Sequence, residues 1–315
     1  MIPLKTQNLS HHSPAMEVIN QHVSAVLPMK KLLVYFLLAA CLFLWCVAVY
    51  ALTVPFDPSG GLVEVDVLLD GHIRARFGID TGADKLYIDK TFARKHGLSF
   101  AENTRRRKVA GVDGASSVSF VDLNSLAIGE EIMNDLRATA IDMHELAGSQ
   151  SIAAPDGLIG FNILRRFYVT VDYPARMLTL QTGRPRFLSG RKYSEFSFRQ
   201  HKHLILVEVT LDDQATCPMI LDYCASHTLI SPQLAGELGL DYTIGKVSFI
   251  DRISMSGLMT GPGVVARNVP VVVTDFSQYR RSVPRAGFAG ILGGSFLSLY
   301  KVTVDYQHQR VYFHK

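Results

Sequence analysis

The feature that most limits what this chain can fold into is a repeat inside it. Val169 Thr170 Val171 Asp172 Tyr173 recurs letter for letter as Val302 Thr303 Val304 Asp305 Tyr306, 133 positions later. Upstream of each copy stands a small apolar glycine motif, Gly157 Leu158 Ile159 Gly160 and Gly290 Ile291 Leu292 Gly293, at the same spacing. Earlier still, Ile79 Asp80 Thr81 Gly82 Ala83 aligns with Leu221 Asp222 Tyr223 Cys224 Ala225 at an offset of 142, so the halves differ by a nine-residue loop insertion. Landmarks at a nearly fixed offset mark a duplicated unit. Both acidic runs lead through an apolar stretch, Leu86 Tyr87 Ile88 or Thr228 Leu229 Ile230, into a segment punctuated as a helix. Asp89 is the N-cap and Gly97 the stop in the first copy; Ser231, Pro232 and Gly239 play these parts in the second.

Between the landmarks the pattern is one of short strands: Gly61 to Leu69 with a turn at Asp70 Gly71, Ile73 to Ile79, Val118 to Ile128, Leu204 to Leu211, and Val264 to Val273. Helices are few and short. The expected fold is therefore mainly β, with two lobes of about 125 residues each. We place a first lobe over 60–187 and a divergent second lobe over 192–315, with a linker around Gly183 to Arg191. The 48% hydrophobic and 19% charged content suits globular lobes with real cores.

Ahead of the lobes, Leu32 to Val54 carries no charge over 23 residues, long enough to cross a bilayer. Lys30 and Lys31 directly precede it, so the positive-inside rule keeps residues 1–31 cytoplasmic and sends the lobes across the membrane. An uncut signal anchor fits the full run, and cleavage after Ala51, with Val49 and Ala51 small, would release a secreted form. Leu38 Ala39 Ala40 Cys41 resembles a lipobox but is followed by apolar residues instead of a polar tether, so it ranks last. Residues 1–28 read as a short cytoplasmic tail or as a misassigned start upstream of Met29. The expected location is a membrane anchor with the lobes on the extracytoplasmic, periplasmic side.

The run Phe77 Gly78 Ile79 Asp80 Thr81 Gly82 Ala83, set between an apolar strand and a capped helix with Gly157 Leu158 Ile159 Gly160 beyond, resembles the signature of pepsin-like and retropepsin-like aspartic peptidases. The stretch from Asn162 to Leu180 also resembles the end of a retropepsin-like lobe. The resemblance implies a two-lobed acid-protease β-barrel fold, hydrolysis of peptide bonds, no cofactor and no metal. It implies Asp80 as one catalytic carboxylate, with Thr81 reaching towards the opposite lobe. The chemistry needs a second carboxylate: two close like charges do not both ionise cheaply, so one serves as acid and the other as base for a water held between them. By position in the repeat the partner is Asp222. There Tyr223 replaces the Thr or Ser, and Cys224 replaces the Gly that, at Gly82, permits a tight turn. Ala83 and Ala225 follow where pepsin-like relatives carry a hydroxyl, which points to a working pH nearer neutral. Val109 to Ser116, centred on Gly111 Val112 Asp113 Gly114, reads as a β-hairpin flap over a peptide substrate or as a plain surface hairpin. Met255 to Gly261 occupies a comparable place in the second lobe.

Other chemistries find little support. Arg105 Arg106 Arg107 Lys108 has no interleaved aromatics and reads as a solvated loop, so no nucleic-acid partner is expected despite the net charge of +4. His201 and His203 lack supporting ligands at metal spacing, and Ser226 His227 lack a nucleophile elbow. Asp172 and Asp305 read as turn residues. Cys217 and Cys224 are separated by roughly 23 Å of extended chain, so both should be free thiols. Two alternatives to a monomeric membrane-associated endopeptidase remain: a silent peptide-binding module with a degenerate second lobe, and a peptidase active only as a homodimer through Asp80.

Overall fold

The computed structural model describes residues 50–58, 60–101, 108–111, 114–117, 119–144, 154–190 and 192–314. The first half of the repeat runs β1 (Ala51–Pro55), β2 (Glu64–Leu69), β3 (Ile73–Ile79), β4 (Tyr87–Asp89), helix α1 (Lys90–Lys95), β5 (Lys108–Gly111) and β6 (Gly114–Ser117). It continues through β7 (Ser119–Ile128), β8 (Glu131–Ile141), β9 (Gly157–Ile159), α2 (Phe161–Leu164), β10 (Tyr168–Asp172) and β11 (Met177–Gln181). A 3-10 turn, Arg186–Ser189, lies in the linker. The second half runs β12 (Tyr193–Ser197), β13 (Arg199–His201), β14 (Leu204–Leu211), β15 (Ala215–Leu221), β16 (Thr228–Ile230), α3 (Pro232–Glu237) and β17 (Val247–Met255). It ends with β18 (Leu258–Thr260), β19 (Val265–Val273), α4 (Ser277–Ser282), β20 (Gly290–Leu292), α5 (Gly294–Leu297), β21 (Lys301–Asp305) and β22 (Arg310–His314).

Each half closes a ring of six strands. In lobe 1 the order is β2-β3-β9-β4-β8-β7; in lobe 2 it is β14-β15-β20-β16-β19-β17, closed by β14 pairing with β17, with β13 added at its edge. The order is the same position for position, which is the structural content of the sequence repeat. Closing the sheet removes exposed edges and lets the alternating strands fill one interior. Strand β3 illustrates the pattern: Ile73, Ala75, Phe77 and Ile79 are buried while Arg74 and Arg76 face solvent. The hairpin turns also match. Asp70 and Gly71 join β2 to β3 with φ of 48° and 73°, and Asp212 and Asp213 join β14 to β15 with φ of 49° and 55°. Two successive positive φ values give the turn whose twist fits an antiparallel hairpin. Both helix caps form as expected: Asp89 accepts from the Phe92 N–H and Ser231 from the Leu234 N–H, and Gly97 and Gly239 follow with positive φ.

A third sheet, in the order β1-β11-β10-β21-β22-β12-β18, ties the lobes together. At its centre β10 pairs antiparallel with β21, so the two repeated Val-Thr-Val-Asp-Tyr segments lie against each other. Thr170 faces its own repeat mate Thr303, hydroxyl to hydroxyl at 2.7 Å, which marks the local pseudo-twofold axis.

The apolar run from Leu32 to Val54 does not continue as one helix to its end. Ala51–Pro55 is strand β1, paired along its whole length with β11. Leu52 points inward while Ala51 and Thr53 are exposed, an alternation that a sum of hydropathy does not register. Lobe 1 therefore recruits chain from residue 51, ahead of the expected start at 60. The rest of that run, the Cys41 motif and residues 1–31 lie outside the described residues, as do Arg105, Arg106 and Arg107. Among the described residues no helix is long and apolar enough to cross a membrane.

Candidate active site

The two repeated aspartates sit at equivalent points of the two rings. Strand β3 runs parallel to β9, and the Asp80 N–H donates to the Ile159 carbonyl at 3.0 Å. Strand β15 runs parallel to β20, and the Asp222 N–H donates to the Leu292 carbonyl at 3.1 Å. The glycine motifs supply those carbonyls. A Cβ on Gly157 or Gly290 would collide with the backbone of the neighbouring strand, at Tyr87 O or Leu229 O, so only glycine lets the strands approach this closely.

From these anchors the two loops converge. Asp80 Oδ1 accepts from the Gly82 N–H at 2.7 Å and from the Ala83 N–H at 2.8 Å. Asp222 Oδ1 accepts from the Cys224 N–H at 2.8 Å. A Cβ on Gly82 would lie 2.7 Å from Asp222 Oδ2 and 3.2 Å from Asp80 Oδ1, so both carboxyl groups crowd the same glycine. The two carboxyl groups are near enough to act on each other's protonation. Burial raises both pKa values above the ordinary carboxylate range. At Asp80 the charge of Asp222 raises it further, against the lowering effect of the Gly82 and Ala83 N–H groups. At Asp222 the Cys224 and Gly82 N–H groups and the Asp80 carboxyl oppose the burial effect. Such a pair retains one proton where isolated carboxylates have lost theirs.

Gly82 is present for a different reason from the one expected. Its φ is not positive; what it supplies is space beside Asp222. Position 224 tolerates a side chain because its backbone is also ordinary and because the Cys224 Sγ rests over Gly78, 3.1 Å from where a Cβ would be. Burial, and after it the two aspartates, push the Cys224 thiol pKa up, which disfavours the thiolate. Cys217 and Cys224 are both free thiols.

The residue after each aspartate locks the lobes together in its own way. Thr81 is fully buried; its hydroxyl donates to the Leu221 carbonyl at 2.9 Å and accepts from the Tyr223 N–H at 3.1 Å, bridging lobe 1 to the lobe 2 loop. The Tyr223 hydroxyl does not reciprocate by bonding to the lobe 1 loop. The ring lies edge-on to Tyr173, and the hydroxyl donates to the Val302 carbonyl of the shared sheet at 3.1 Å. The alanines act through their backbones: the Ala83 carbonyl accepts from Phe161 and the Ala225 carbonyl from Gly294, seating α2 and α5 behind the loops.

Strands β5 and β6 form the hairpin expected as a flap, with Gly111 paired to Gly114; Val112 and Asp113 at its tip lie outside the described residues. The β5 backbone packs against α4 of lobe 2. On α4, Tyr279 has its pKa raised by burial and then by Asp222 and Asp80, which puts it on the same cleft. Lobe 2 has no such hairpin among the described residues between α3 and β17. Met255 to Gly261 is not its equivalent: β18 pairs with β12 in the shared sheet, so this segment serves the base of the molecule. Asp172 and Asp305 accept from turn N–H groups, Ala175 for one and Gln307 and His308 for the other. Among the described residues no cluster of three or more His, Cys, Asp or Glu is placed to hold a metal.

Sequence reasoning missed several groups beside the aspartates. Asp84 accepts from the Tyr87 hydroxyl at 2.5 Å and pairs with Lys85 at 3.3 Å. Its position directly after the Asp-Thr-Gly-Ala signature was the available signal. Tyr279 and His203 carried none, since only the fold brings α4 and the β13–β14 turn to the cleft.

A family model described as aspartyl protease matches residues 63–163 and 207–296, one segment in each lobe and each holding one of the two aspartates. No curated protein matches. Among solved structures, a retropepsin-like aspartic protease from Rickettsia conorii is similar at 20% identity, covering 44% of this chain and 94% of its own, with a TM-score of 0.30. The family match spans more than half of the sequence, and the chain therefore belongs to the aspartyl protease family, as an aspartic endopeptidase with two tandem barrel lobes.

Proposed function

We propose that Asp80 and Asp222 form an intramolecular catalytic dyad that hydrolyses peptide bonds in a substrate held beneath the β5–β6 hairpin. The observation that carries this reading is the crowding of both carboxyl groups on Gly82. The dyad shares one proton, and the protonation belongs to the pair. A water between the carboxyl groups gives its proton to the ionised member as it attacks the peptide carbonyl carbon. The protonated member delivers its proton to the carbonyl oxygen, which gives a tetrahedral diol. Collapse of that diol, with a proton passed to the leaving nitrogen, breaks the C–N bond and restores the shared proton. No cofactor enters this scheme.

The pairing of β10 with β21 supports a monomer, because one chain supplies both lobes and both aspartates. We further propose that the apolar segment over 32–49 tethers the enzyme to a membrane, with the lobes on the extracytoplasmic side. An anchor that ends near residue 49 leaves β1 whole, whereas cleavage after Ala51 would cut inside a paired strand. Substrates would then be proteins or peptides near that membrane. Carbonate extraction of membranes tests the tether: the full chain should stay in the pellet, and a chain starting at residue 50 should not.

Separate Asp80→Asn and Asp222→Asn variants test the dyad on quenched fluorescent casein, with circular dichroism as the check on folding. Each should abolish cleavage while the fold persists. Activity that survives Asp222→Asn would point instead to Asp80 pairing across a homodimer. Peptide binding without cleavage by the wild type would favour the silent receptor.

A further inference from the structure

The repeat also shows where the two halves part. In lobe 1 the N-cap Asp89 has two oxygens to use. Oδ1 accepts from the Phe92 N–H at 2.7 Å, and Oδ2 accepts from the Met143 N–H at 3.1 Å, which ties the chain leaving β8 to the start of α1. In lobe 2 the cap is Ser231, whose single side-chain oxygen accepts from the Leu234 N–H at 3.2 Å. The residue that answers to Met143, at the offset of 133, is Phe276. It is buried instead in a small cluster with Val283, Ala286 and Phe288. The chain leaving β19 is thus drawn into α4, and a cavity of about 450 Å³ lies between α3 and residues 280–289.

Backbone bonds fix one end of this cavity. The Ser231 N–H donates to the Ala289 carbonyl at 2.9 Å, and the Ala289 N–H donates to the Pro218 carbonyl of β15 at 2.9 Å. Pro218, Leu234, Val283 and Phe288 give it apolar walls, and its charged lining is Arg280, Arg285 and Glu237. Arg280 is held in place: its Nη2 donates to the Phe288 carbonyl at 3.0 Å, and its guanidinium lies over the Phe288 ring, 5.4 Å from the centroid. Arg285 is exposed, with a φ of 64°, in the turn that leads back to β20. Among the described residues neither arginine is within ion-pair distance of a carboxylate. Glu237, the one anion of the lining, already receives the Gln233 side-chain amide at 2.9 Å.

Two cations against one anion, beside apolar walls, suit a ligand that carries a single carboxylate on an apolar body. The enzyme's own reaction makes that group. Every peptide bond hydrolysed leaves the N-terminal fragment with a new C-terminal carboxylate. The volume lies at the low end of small-ligand sites, roughly 300–1,000 Å³, and so admits one or two terminal residues of a peptide but no long segment. The cavity also adjoins the cleft through α4: the Phe288 ring meets Tyr279 edge-on at 5.7 Å, and α4 packs against the β5 hairpin.

We propose that this cavity is a second peptide site, which takes the C-terminal carboxylate of a peptide whose last residue is apolar. Arg280 and Arg285 receive the carboxylate, and Leu234, Val283 and Phe288 receive the last side chain. The inference takes its ligand from the endopeptidase activity but does not depend on which carboxyl groups perform it.

Fluorescence anisotropy on the full chain tests the site, with a fluorescein-labelled tetrapeptide ending in leucine, as the free acid and as the C-terminal amide. The free acid should bind about tenfold more tightly than the amide, and Arg285→Gln should remove about that tenfold while leaving the amide unaffected. Glu237→Gln, which removes the competing anion, should tighten the free acid by a few fold. All three positions changed or compared here are at the surface, so the fold should persist. Equal affinity for acid and amide, or an Arg285→Gln variant that binds the acid as the wild type does, overturns the proposal. So does an affinity that changes with Asp80→Asn but not with Arg285→Gln, which would put the peptide in the cleft. Octanoate, a carboxylate on an apolar chain without peptide groups, should displace the probe less well than acetyl-leucine; the reverse order would give the cavity to fatty acids and overturn the peptide assignment. Cleavage of quenched fluorescent casein by the same preparations separates the two levels. Absent binding with cleavage intact overturns the site alone, whereas a wild type that cuts nothing removes the source of the ligand and takes the inference with it.

Discussion

Lobe 1 and lobe 2 deliver an aspartate from the same point of the same six-strand ring, yet the residues that follow it differ at two of three positions. In lobe 1, Thr81 and Gly82 bridge the lobes and leave room. In lobe 2, Tyr223 turns away into the shared sheet and Cys224 fills the hollow over Gly78. What stays constant is backbone: each aspartate N–H on the carbonyl of the glycine-motif strand, and each aspartate side chain on the N–H two residues ahead. The strands fix where the aspartate starts, so the flanking side chains can diverge provided that they leave the facing carboxyl group its space. Only one loop has to meet that condition strictly, because Gly82 is the position both carboxyl groups crowd.

The largest effect that could break this comparison is at the aspartates themselves. If divergence has left lobe 2 competent, Asp80→Asn and Asp222→Asn each lower kcat by at least about 10²–10⁴-fold, to similar residual rates. A Asp222→Asn variant with activity near wild type would make lobe 2 a scaffold only. Next in size is the glycine. Gly82→Ala sets a methyl 2.7 Å from Asp222 Oδ2 and should cost about 10²-fold in kcat/KM through misplacement of the carboxyl groups. The mirror change, Cys224→Gly, should leave kcat/KM within a few fold and lower stability by about 1–3 kcal/mol, from lost packing over Gly78 and a freer backbone. Equal losses of activity in the two variants would mean that the loops are more alike than their contacts indicate.

Much of this arrangement was legible in the letters, for identifiable reasons. Duplication left Val-Thr-Val-Asp-Tyr intact in both halves, and the helix caps and the Asp70 Gly71 turn are set by neighbours within four residues. The contacts that depend on distant chain were not legible. Gly82 looked like a turn glycine because its true constraint, the Asp222 carboxyl, is 140 residues away in sequence. Strand β1 was hidden because the Leu52 alternation sits at the end of a longer apolar run, where total hydropathy outweighs period. Tyr223 read as a misfit beside Asp222, since nothing local reveals the Val302 carbonyl that receives its hydroxyl. His203 and Tyr279 reach the cleft only through strand pairing and helix placement that no short window encodes.

The second residue of each loop offers a smaller test, in stability. Thr81→Val leaves the Leu221 carbonyl and the Tyr223 N–H without the hydroxyl that serves both, so urea unfolding should show a loss of roughly 2–4 kcal/mol. Tyr223→Phe removes a single donor from the Val302 carbonyl and keeps the ring packed on Tyr173, so its cost should be about 1 kcal/mol. A Tyr223→Phe loss as large as that of Thr81→Val would mean that lobe 2 has found an equally strong lock in a new place.

The smallest expected effect concerns the charge shared by the two loops. Asp80 has a folded-state pKa raised well above that of the unfolded chain, first by burial and then by Asp222. A carboxyl group shifted in that direction binds its proton more tightly when folded. Its contribution to stability is therefore fully present below the unfolded pKa, near pH 4, and is lost as pH rises through the raised folded value. At any pH above the unfolded value the unfolded chain has shed a proton that the folded pair holds back, and a neutral amide at position 80 removes that cost. Asp80→Asn should thus raise Tm by about 2–4 °C at pH 7–8, and by little or nothing near pH 3, where both forms are neutral. Asp222→Asn should follow the same trend, because its pKa is raised too, although three hydrogen bonds to its charged form oppose the effect of burial. A Tm for Asp80→Asn that is unchanged at pH 7–8 would mean that the carboxyl groups do not repel each other in the fold, and that the two loops meet less closely than their shared crowding of Gly82 requires.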